Sequence, residues 1–247
     1  MILVVSDLHL DFSAAREIDL FFELIRKFSK KADMLIINGD IFDSPSSTCN
    51  ISRILERLSR LLFKNSKFKK IYHVVGNHDL GLNAFKGSYR TLRLEVCFPQ
   101  LEFTWSGLKL YFEHGHRFDP LFKYSIYDLM KIIEQRGGFK FGDLAEDFIT
   151  GFYGHFQTRQ QPDFGVPESL AKLWVEEAES IAIARELHLV SFGHTHRKEL
   201  LRMKKGVYLN TGSFYKQNLF ALIDTQKVIL YSFKGGKEEV VATAALP

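Results

Sequence analysis

The 247-residue sequence predicts an α/β (α+β) fold in which two packed β-sheets are flanked by helices. Two observations predict this architecture. Up to residue 75, short apolar runs alternate with amphipathic helical stretches, which is typical of βαβ units around a parallel sheet. Beyond residue 100, a hairpin and several further short strands indicate a second sheet.

The first part of the chain contains predicted buried strands joined by amphipathic helices. The strands are short, bounded apolar runs, and the helices repeat apolar residues at helical spacing. The predicted strands are 2–6, 34–38 and 71–75, and the predicted helices are 16–28 and 51–63.

The second part begins with a hairpin, 101–105 and 108–113, around the two-residue turn Ser106-Gly107. Helices are then predicted at 124–135, 141–156 and 167–187. Strands follow at 189–192, 198–203, 207–210, 219–224, 228–233 and 238–243. We interpret the chain as one domain covering 1–247, with a helical cap insertion at about 118–187.

Composition is that of a globular protein, with 46% hydrophobic and 25% charged residues. The 23 Phe residues either fill the core or also line an apolar ligand groove. A net charge of +4 without a long basic run does not indicate a nucleic-acid partner. Only two cysteines, Cys49 and Cys97, are present, so a reducing compartment is expected. Neither a signal peptide nor a membrane helix is apparent, and a cytoplasmic protein is expected.

Five polar stretches each follow a predicted strand. They are Asp7-Leu8-His9, Asn38-Gly39-Asp40-Ile41-Phe42-Asp43, Gly76-Asn77-His78-Asp79, His114-Gly115-His116 and Gly193-His194-Thr195-His196. If the strands continue, residues two apart point to the same side, as in Asp7 and His9. A mixture of imidazole and carboxylate donors without thiolate suits Mn, Fe, Zn or Co.

Each stretch alone has an ordinary structural explanation, since Gly39-Asp40 and Gly76-Asn77 are also typical of turns. Five such stretches after strands instead indicate a metal centre. His73, His155 and His188 lie outside these stretches, and we assign them structural or surface roles.

The five motifs, in this order, resemble those of the calcineurin-like metallophosphoesterase superfamily, whose fold is a two-sheet sandwich flanked by helices. The resemblance implies two divalent metal ions. It implies that the first ion is held by Asp7, His9 and His196, the second by Asn77, His114 and His194, and that Asp40 bridges both. It further implies that His78 faces the substrate phosphate and that Asp79 orients the His78 ring.

This ligand set implies a hydrolytic mechanism. Two cations about 3.5–4 Å apart need a shared anionic ligand, which Asp40 would supply. A water shared by both ions would lose a proton near neutral pH, and the hydroxide would attack phosphorus in line with the leaving oxygen. His78 would meet the developing charge and is a candidate to protonate the leaving group. Mn²⁺ is the expected ion, with Fe, Zn or Co as alternatives.

Five further residues are predicted to support the ligands or to contact substrate. Asp43 is expected to act from outside the ligand set, and His116 to contact either His114 or the substrate. The remaining candidates are Arg117, Asp119 and Arg159.

The cap insertion provides the substrate prediction. Its many aromatic side chains and three arginines suit a substrate with an apolar and an anionic part. This arrangement resembles the bacterial UDP-2,3-diacylglucosamine pyrophosphatases of lipid A synthesis. Those enzymes commonly carry Arg at the position of His78 and Asp at the position of His116. The alternative is that the cap aromatics fill only a core of their own.

A lipid substrate would imply peripheral contact with the inner membrane through the cap. A nucleotide or nucleic-acid phosphodiesterase or phosphatase of the same superfamily is the alternative enzyme. A scaffold without catalysis is the alternative from another class, and the presence of all seven predicted ligands and His78 argues against it.

Overall fold

The computed structural model of the protein describes residues 1–10, 15–41, 67–79, 94–119 and 168–247, together with residues 58, 60, 62 and 64. The strands are β1 (Ile2–Val5), β2 (Met34–Asn38), β3 (Lys70–Val74), β4 (Leu94–Cys97), β5 (Gln100–Trp105), β6 (Leu108–Glu113), β7 (Leu189–Phe192), β8 (Lys198–Arg202), β9 (Val207–Thr211), β10 (Leu219–Ile223), β11 (Lys227–Lys234) and β12 (Lys237–Ala245). The helices are α1 (Ala15–Phe28), a 3-10 helix (His116–Phe118), α2 (Glu168–Arg185) and α3 (Phe214–Gln217).

These strands form two sheets. The larger has seven strands in the order β12-β11-β10-β1-β2-β3-β4. Strands β1 to β4 pair in parallel, and β10 to β12 extend the sheet by antiparallel pairing. The smaller sheet has five strands in the order β5-β6-β7-β9-β8, with β6, β7 and β9 parallel.

Apolar side chains on both faces of the larger sheet hold the layers together, because successive strand residues point to opposite sides. In β1, Leu3 and Val5 pack in the cluster that includes α1, whereas Ile2 and Val4 pack against the smaller sheet. Trp174 of α2 packs against the smaller sheet in a third cluster. Each such side chain contributes roughly 1.5–3 kcal/mol on burial. The layers confirm the predicted two-sheet fold flanked by helices.

Most of the predicted elements that fall on described residues are confirmed. Strand β4 was not predicted, because four residues with one exposed side chain, Glu95, are too few to display a period. The predicted helix 51–63 is described at 58, 60 and 62, where Leu58 and Leu62 are buried on one helical face. The predicted helix 167–187 is confirmed as α2.

Part of the prediction lies outside the described residues. This applies to the helices 124–135 and 141–156, and to most of the cap insertion at 118–187. The division of the chain into one domain with a cap therefore stays a prediction. Among the described helices, none combines the length and hydropathy needed to cross a membrane.

The sheet order places the polar stretches at neighbouring strand ends. Asp7, Asp40 and Asn77 follow the adjacent parallel strands β1, β2 and β3. His114 and His194 follow the adjacent parallel strands β6 and β7 of the other sheet. Parallel strands end at the same edge, so each sheet contributes one group of polar side chains.

Asn38, the last residue of β2, joins these two edges. Its buried amide nitrogen donates to the carbonyl oxygens of Glu113 (3.2 Å) and Ser191 (3.3 Å) in the smaller sheet. Buried polar groups are stable only when they are hydrogen-bonded. Asn38 therefore fixes the distance between the strand ends that carry the motifs.

Candidate metal centre

Five of the seven predicted ligands have left-handed backbone conformations. Strand β1 ends at Val5, so the condition of a continuing strand is not met, although Asp7 and His9 still contribute atoms to one donor group. Positive φ angles are found at Asp7 (52°), His9 (41°), Asp40 (51°), His194 (64°) and His196 (53°). Such strain costs about 1–3 kcal/mol per residue and persists where the surrounding structure enforces it.

Hydrogen bonds between loops enforce this conformation. The Asp7 amide donates to the Gly39 carbonyl oxygen (3.1 Å), and the His9 amide donates to the Asp40 carbonyl oxygen (3.0 Å). Backbone hydrogen bonds thus connect the loop after β1 to the loop after β2. This pairing turns both carboxylates toward the histidines of the smaller sheet.

Glycines allow the close approach of these loops. A Cβ atom at Gly39 would lie 2.0 Å from His114 Nδ1, and one at Gly76 would lie 2.1 Å from Asp40 Oδ1. Neither distance is sterically possible for a real Cβ atom. The glycines that precede Asp40 and Asn77 are therefore needed for packing against the ligands.

The first group of donors consists of Asp7, His9 and His196, all buried, with one ligand atom each within 4.8 Å of the others. His196 Nε2 lies 3.1 Å from Asp7 Oδ1 and 3.2 Å from His9 Nε2. The Ser6 hydroxyl donates to Asp7 Oδ2. The buried Asp7 Oδ1 therefore faces the imidazole of His196.

The second group consists of Asn77, His114 and His194, and Asp40 lies against it. His114 Nε2 lies 3.1 Å from both Asp40 Oδ2 and Asn77 Oδ1. His194 Nδ1 lies 2.9 Å from the same Asn77 oxygen. These contacts run from Asp40 through His114 and Asn77 to His194.

Asp40 lies between the two groups. Its Oδ2 atom is 3.1 Å from His114 Nε2 in the second group and 4.0 Å from His9 Nε2 in the first. Its Oδ1 atom accepts the backbone N–H of His78 (2.9 Å). This is the position that a carboxylate shared by two ions requires.

Outer hydrogen bonds select the nitrogen that each histidine can offer. His114 Nδ1 donates to the Asn38 carbonyl oxygen (2.9 Å), which leaves Nε2 for a metal. His194 Nε2 contacts Asp119 Oδ2 (3.0 Å), which leaves Nδ1 on the side of Asn77. Asp119 is therefore placed as a support of His194, one of the two roles predicted for it.

Burial and neighbouring charges act in opposite directions on these groups. Burial alone raises the pKa of Asp40, but His114 and His78 outweigh it, so this pKa lies well below its usual value. Burial likewise raises the pKa of Asp7, but His196 and His114 together outweigh it, with a net decrease. Burial lowers the pKa of His114, but the Asp40 carboxylate raises it to about 10. Both carboxylates are thus ionised at neutral pH.

His78 and Asp79 occupy different positions relative to the donors. His78 Nε2 is 4.0 Å from Asp40 Oδ2, and its side chain is 18% exposed whereas that of Asp40 is 2% exposed. Asp79 is buried and contacts His73 Nε2 (2.9 Å) and the Ile41 backbone N–H (3.1 Å). That Asp79 also orients the His78 ring stays a prediction.

The other predicted residues separate into three cases. His116 is buried, with its ring 5.7 Å from that of His114. Burial and the neighbouring His114 hold its pKa well below the usual value, so it is neutral. Arg117 donates to the buried Glu113 carboxylate (2.9 Å). Its contact is thus with the residue that directly precedes the predicted ligand His114. Asp43 and Arg159 lie outside the described residues.

Sequence reasoning gave no role at the site to three residues that form hydrogen bonds beside it. Asn38 donates a hydrogen bond to the Glu113 carbonyl oxygen, and Ser6 donates one to the Asp7 carboxylate. His73 lies within strand β3. A polar residue at a buried strand position was the available signal for all three.

The donor set fits two divalent ions. Among the described residues, three clusters of imidazole and carboxylate donors overlap at Asp7, His9 and Asp40: Asp7 with His9 and His196, Asp40 with His9 and His78, and Asp40 with Asp7 and His114. Such a set suits borderline metals rather than a thiolate-bound structural zinc.

Comparison with known proteins relates this site to a family. No curated protein matches the chain. The fold is similar to that of vacuolar protein sorting 29 from Cryptosporidium parvum, with a TM-score of 0.53 and 15% identity over 99% of this chain and 96% of that chain. It is also similar to a double mutant of the corresponding Entamoeba histolytica protein, with a TM-score of 0.50 and 13% identity over 100% and 99% of the chains. At these identities the likeness concerns the fold alone.

A family model provides the assignment. The model of the calcineurin-like phosphoesterases matches residues 1–198, which include all seven predicted metal ligands. This family is dimetal-dependent, in agreement with the two donor groups. The chain therefore belongs to the calcineurin-like phosphoesterase family.

Proposed function

We propose that the protein is a hydrolase of phosphoester or pyrophosphate bonds that depends on two divalent metal ions. One observation carries this proposal: the Asp40 carboxylate lies between the buried imidazoles of His9 and His114, in overlapping clusters of metal donors. When bound, such ions supply Lewis acidity toward phosphate oxygens and an activated water. The first ion would be held by Asp7, His9 and His196, and the second by Asn77, His114 and His194, with Asp40 shared.

The chain's own residues would bind and orient the phosphate. His78 is the most exposed imidazole of the group, at 18% of its side chain against 9% or less for His9, His114, His194 and His196. It therefore lies where a substrate enters. From there its Nε2 atom can donate to a phosphate oxygen or to the leaving oxygen.

Mn²⁺ is the ion that we propose, with Fe, Zn or Co as alternatives. The donors are imidazole nitrogens, carboxylate oxygens and the Asn77 amide oxygen, without a sulfur ligand. Harder oxygen donors favour Mn²⁺, whereas imidazole is also accepted by the other three metals. Metal analysis after reconstitution with each ion would rank them.

The substrate that we propose is UDP-2,3-diacylglucosamine or a similar nucleotide-linked lipid. Its support is the aromatic and arginine-rich sequence of the insertion, most of which lies outside the described residues. Peripheral contact with the inner membrane is part of the same proposal. A nucleotide or nucleic-acid phosphodiesterase with the same metal centre is the second candidate.

A direct assay tests the reaction and the substrate. Protein reconstituted with Mn²⁺ would be given UDP-2,3-diacylglucosamine, bis-p-nitrophenyl phosphate and single-stranded DNA in separate reactions. We expect hydrolysis of the lipid-linked nucleotide at the highest kcat/KM. Hydrolysis of only the other two would exclude the lipid proposal. No hydrolysis of any phosphoester by protein that holds two ions would contradict the proposed function itself.

Two variants test the assigned roles in the same assay. Asp40→Asn should abolish turnover and lose bound metal, because the shared carboxylate loses its charge. His78→Ala should keep its metal and lower kcat about 10²–10⁴-fold, the scale of a general acid. His188→Ala is the control, since His188 accepts a backbone hydrogen bond from Lys109 away from the metal donors. A near-normal rate for His78→Ala would refute the role of His78.

A further inference from the structure

The mechanism does not use one buried histidine, His73. It lies in β3, opposite Ile37 of β2 and Val96 of β4, and is therefore within the larger sheet rather than at its edge. Its side chain is completely buried. The surface role that the sequence left open for His73 is thus excluded, and a polar group at this depth requires a partner.

Asp79 is that partner. His73 Nε2 contacts Asp79 Oδ2 at 2.9 Å, and both side chains are fully buried. Asp79 follows the same strand, at the end of the Gly76-Asn77-His78-Asp79 motif. The contact therefore ties the motif loop to the interior of the sheet from which it emerges.

Asp79 in turn holds the neighbouring loop. Both of its carboxylate oxygens lie 3.1 Å from the backbone nitrogen of Ile41, which donates to them. Ile41 directly follows Asp40, whose φ of 51° is unfavourable for a residue with a side chain. The hydrogen bonds from the Ile41 N–H to Asp79 thus hold the backbone directly after Asp40. They help Asp40 to keep its unfavourable conformation.

A second hydrogen bond runs in the opposite direction. The backbone N–H of His78 donates to Asp40 Oδ1 at 2.9 Å. Each loop therefore gives a carboxylate to a backbone N–H of the other loop, through Asp40 and Asp79. Two reciprocal bonds define the relative position of the loops more narrowly than one bond could.

We propose that His73 is a positioning residue of the metal centre, which acts through Asp79 and the Ile41 N–H on the carboxylate of Asp40. His73 itself lies away from the substrate and the ions. Its part is to keep the Asp79 carboxylate turned toward Ile41. The proposal rests on the proposed function only in that Asp40 is taken as the shared metal ligand.

A pair of substitutions tests this proposal. The side-chain amide of glutamine can take the place of His Nε2, whereas asparagine is too short to reach Asp79. His73→Gln should therefore bind Mn²⁺ within about threefold of wild type, and His73→Asn about 10–100-fold more weakly, the scale known for outer partners of metal ligands. His188→Asn is the matched control and should bind as wild type does.

Two measurements would be made on protein stripped of metal and then titrated. Calorimetric titration with Mn²⁺ gives the affinity, and NMR hydrogen exchange gives the protection of the Ile41 amide. We expect faster exchange at Ile41 in His73→Asn but not in His73→Gln. Equal Mn²⁺ affinity and equal Ile41 protection in the two variants would overturn the proposal.

Two further outcomes remain decisive. If His73→Asn does not fold, the wild-type protein decides: the His73 Nε2–H proton must be observed in slow exchange, and its absence would overturn the proposal. If the wild-type protein binds two ions but cleaves no phosphoester, the proposed function fails. The difference in affinity between the two His73 variants would then still support the positioning role.

Discussion

At the residue scale, the metal centre contains buried groups of opposite charge that stabilise each other. Asp40 is ionised because His114 and His78 outweigh its burial, and His114 retains its proton because Asp40 lies 3.1 Å away. A metal ion that binds here must displace that proton, since a ligating imidazole is neutral. In metal-free protein, protonated His114 and ionised Asp40 thus form an ion pair at the second metal site, and a bound cation would replace the proton.

This exchange predicts opposite pH dependences for stability and for metal binding. In metal-free protein the pKa of His114 is raised above 6.5 to about 10. The stabilisation from its protonated form is therefore complete below pH 6.5 and disappears as pH rises through 10. We expect the free energy of unfolding in EDTA, measured by urea titration, to fall across this range while Mn²⁺ affinity rises.

The control for this prediction is His114→Asn, in which the titrating imidazole is absent. Its metal-free stability should change less between pH 6.5 and 10 than that of the wild type. A wild-type stability that rises over this range would contradict the assignment of the proton to His114.

At the element scale, the site depends on how closely the loops after β2 and β3 can approach. Gly76 has no positive φ that would require glycine, yet its Cβ would lie 2.1 Å from Asp40 Oδ1 and 2.5 Å from the Asp40 nitrogen. The requirement for glycine here is contact rather than backbone conformation. A methyl group at this position must push the shared carboxylate away from its partners.

We therefore predict that Gly76→Ala both destabilises the protein and weakens its metal site. Overpacking of this kind costs about 1–3 kcal/mol, which urea unfolding would detect. Mn²⁺ affinity should fall by more than tenfold in calorimetric titration. Gly107→Ala is the control for affinity: alanine is strained at its φ of 84°, so stability should fall, but its Cβ meets no atom within 4 Å and Mn²⁺ affinity should not change. Loss of stability without loss of affinity in Gly76→Ala would contradict the argument.

At the scale of the whole molecule, the ligands come from both sheets. Asp7, Asp40 and Asn77 follow strands of the larger sheet, whereas His114 and His194 follow strands of the smaller one. An ion bound by ligands from both sheets would join the two layers of the sandwich at this edge. Metal binding is therefore linked to the packing of the sheets against each other.

This linkage predicts a large effect of metal removal on unfolding. Mn²⁺ at a hundred times its Kd stabilises the native state by about 2.7 kcal/mol, which corresponds to a rise in Tm of roughly 5–10 °C for a chain of this size. Differential scanning calorimetry with Mn²⁺ and with EDTA would measure it. Asp40→Asn should show little change between the two conditions. An equal Tm for the wild type with and without Mn²⁺ would exclude the predicted site.

The sequence by itself determined the family assignment and the set of candidate metal ligands. Five motifs after predicted strands carried the resemblance that implied the seven predicted ligands, and motif residues and strand periods are both local properties of a sequence. The strands β1 to β3 were predicted for the same reason. Strand β4 was missed, since four residues carry too little pattern to distinguish a strand from a loop.

Only the tertiary structure decided how the ligands are held. Left-handed backbone at Asp7, His9 and Asp40, rather than strand alternation, turns their side chains inward. The bond from His73 to Asp79 joins residues six apart across a loop, and Asp79 then reaches a different loop at Ile41. Such contacts depend on how β2 and β3 lie side by side, and no sequence period records that arrangement.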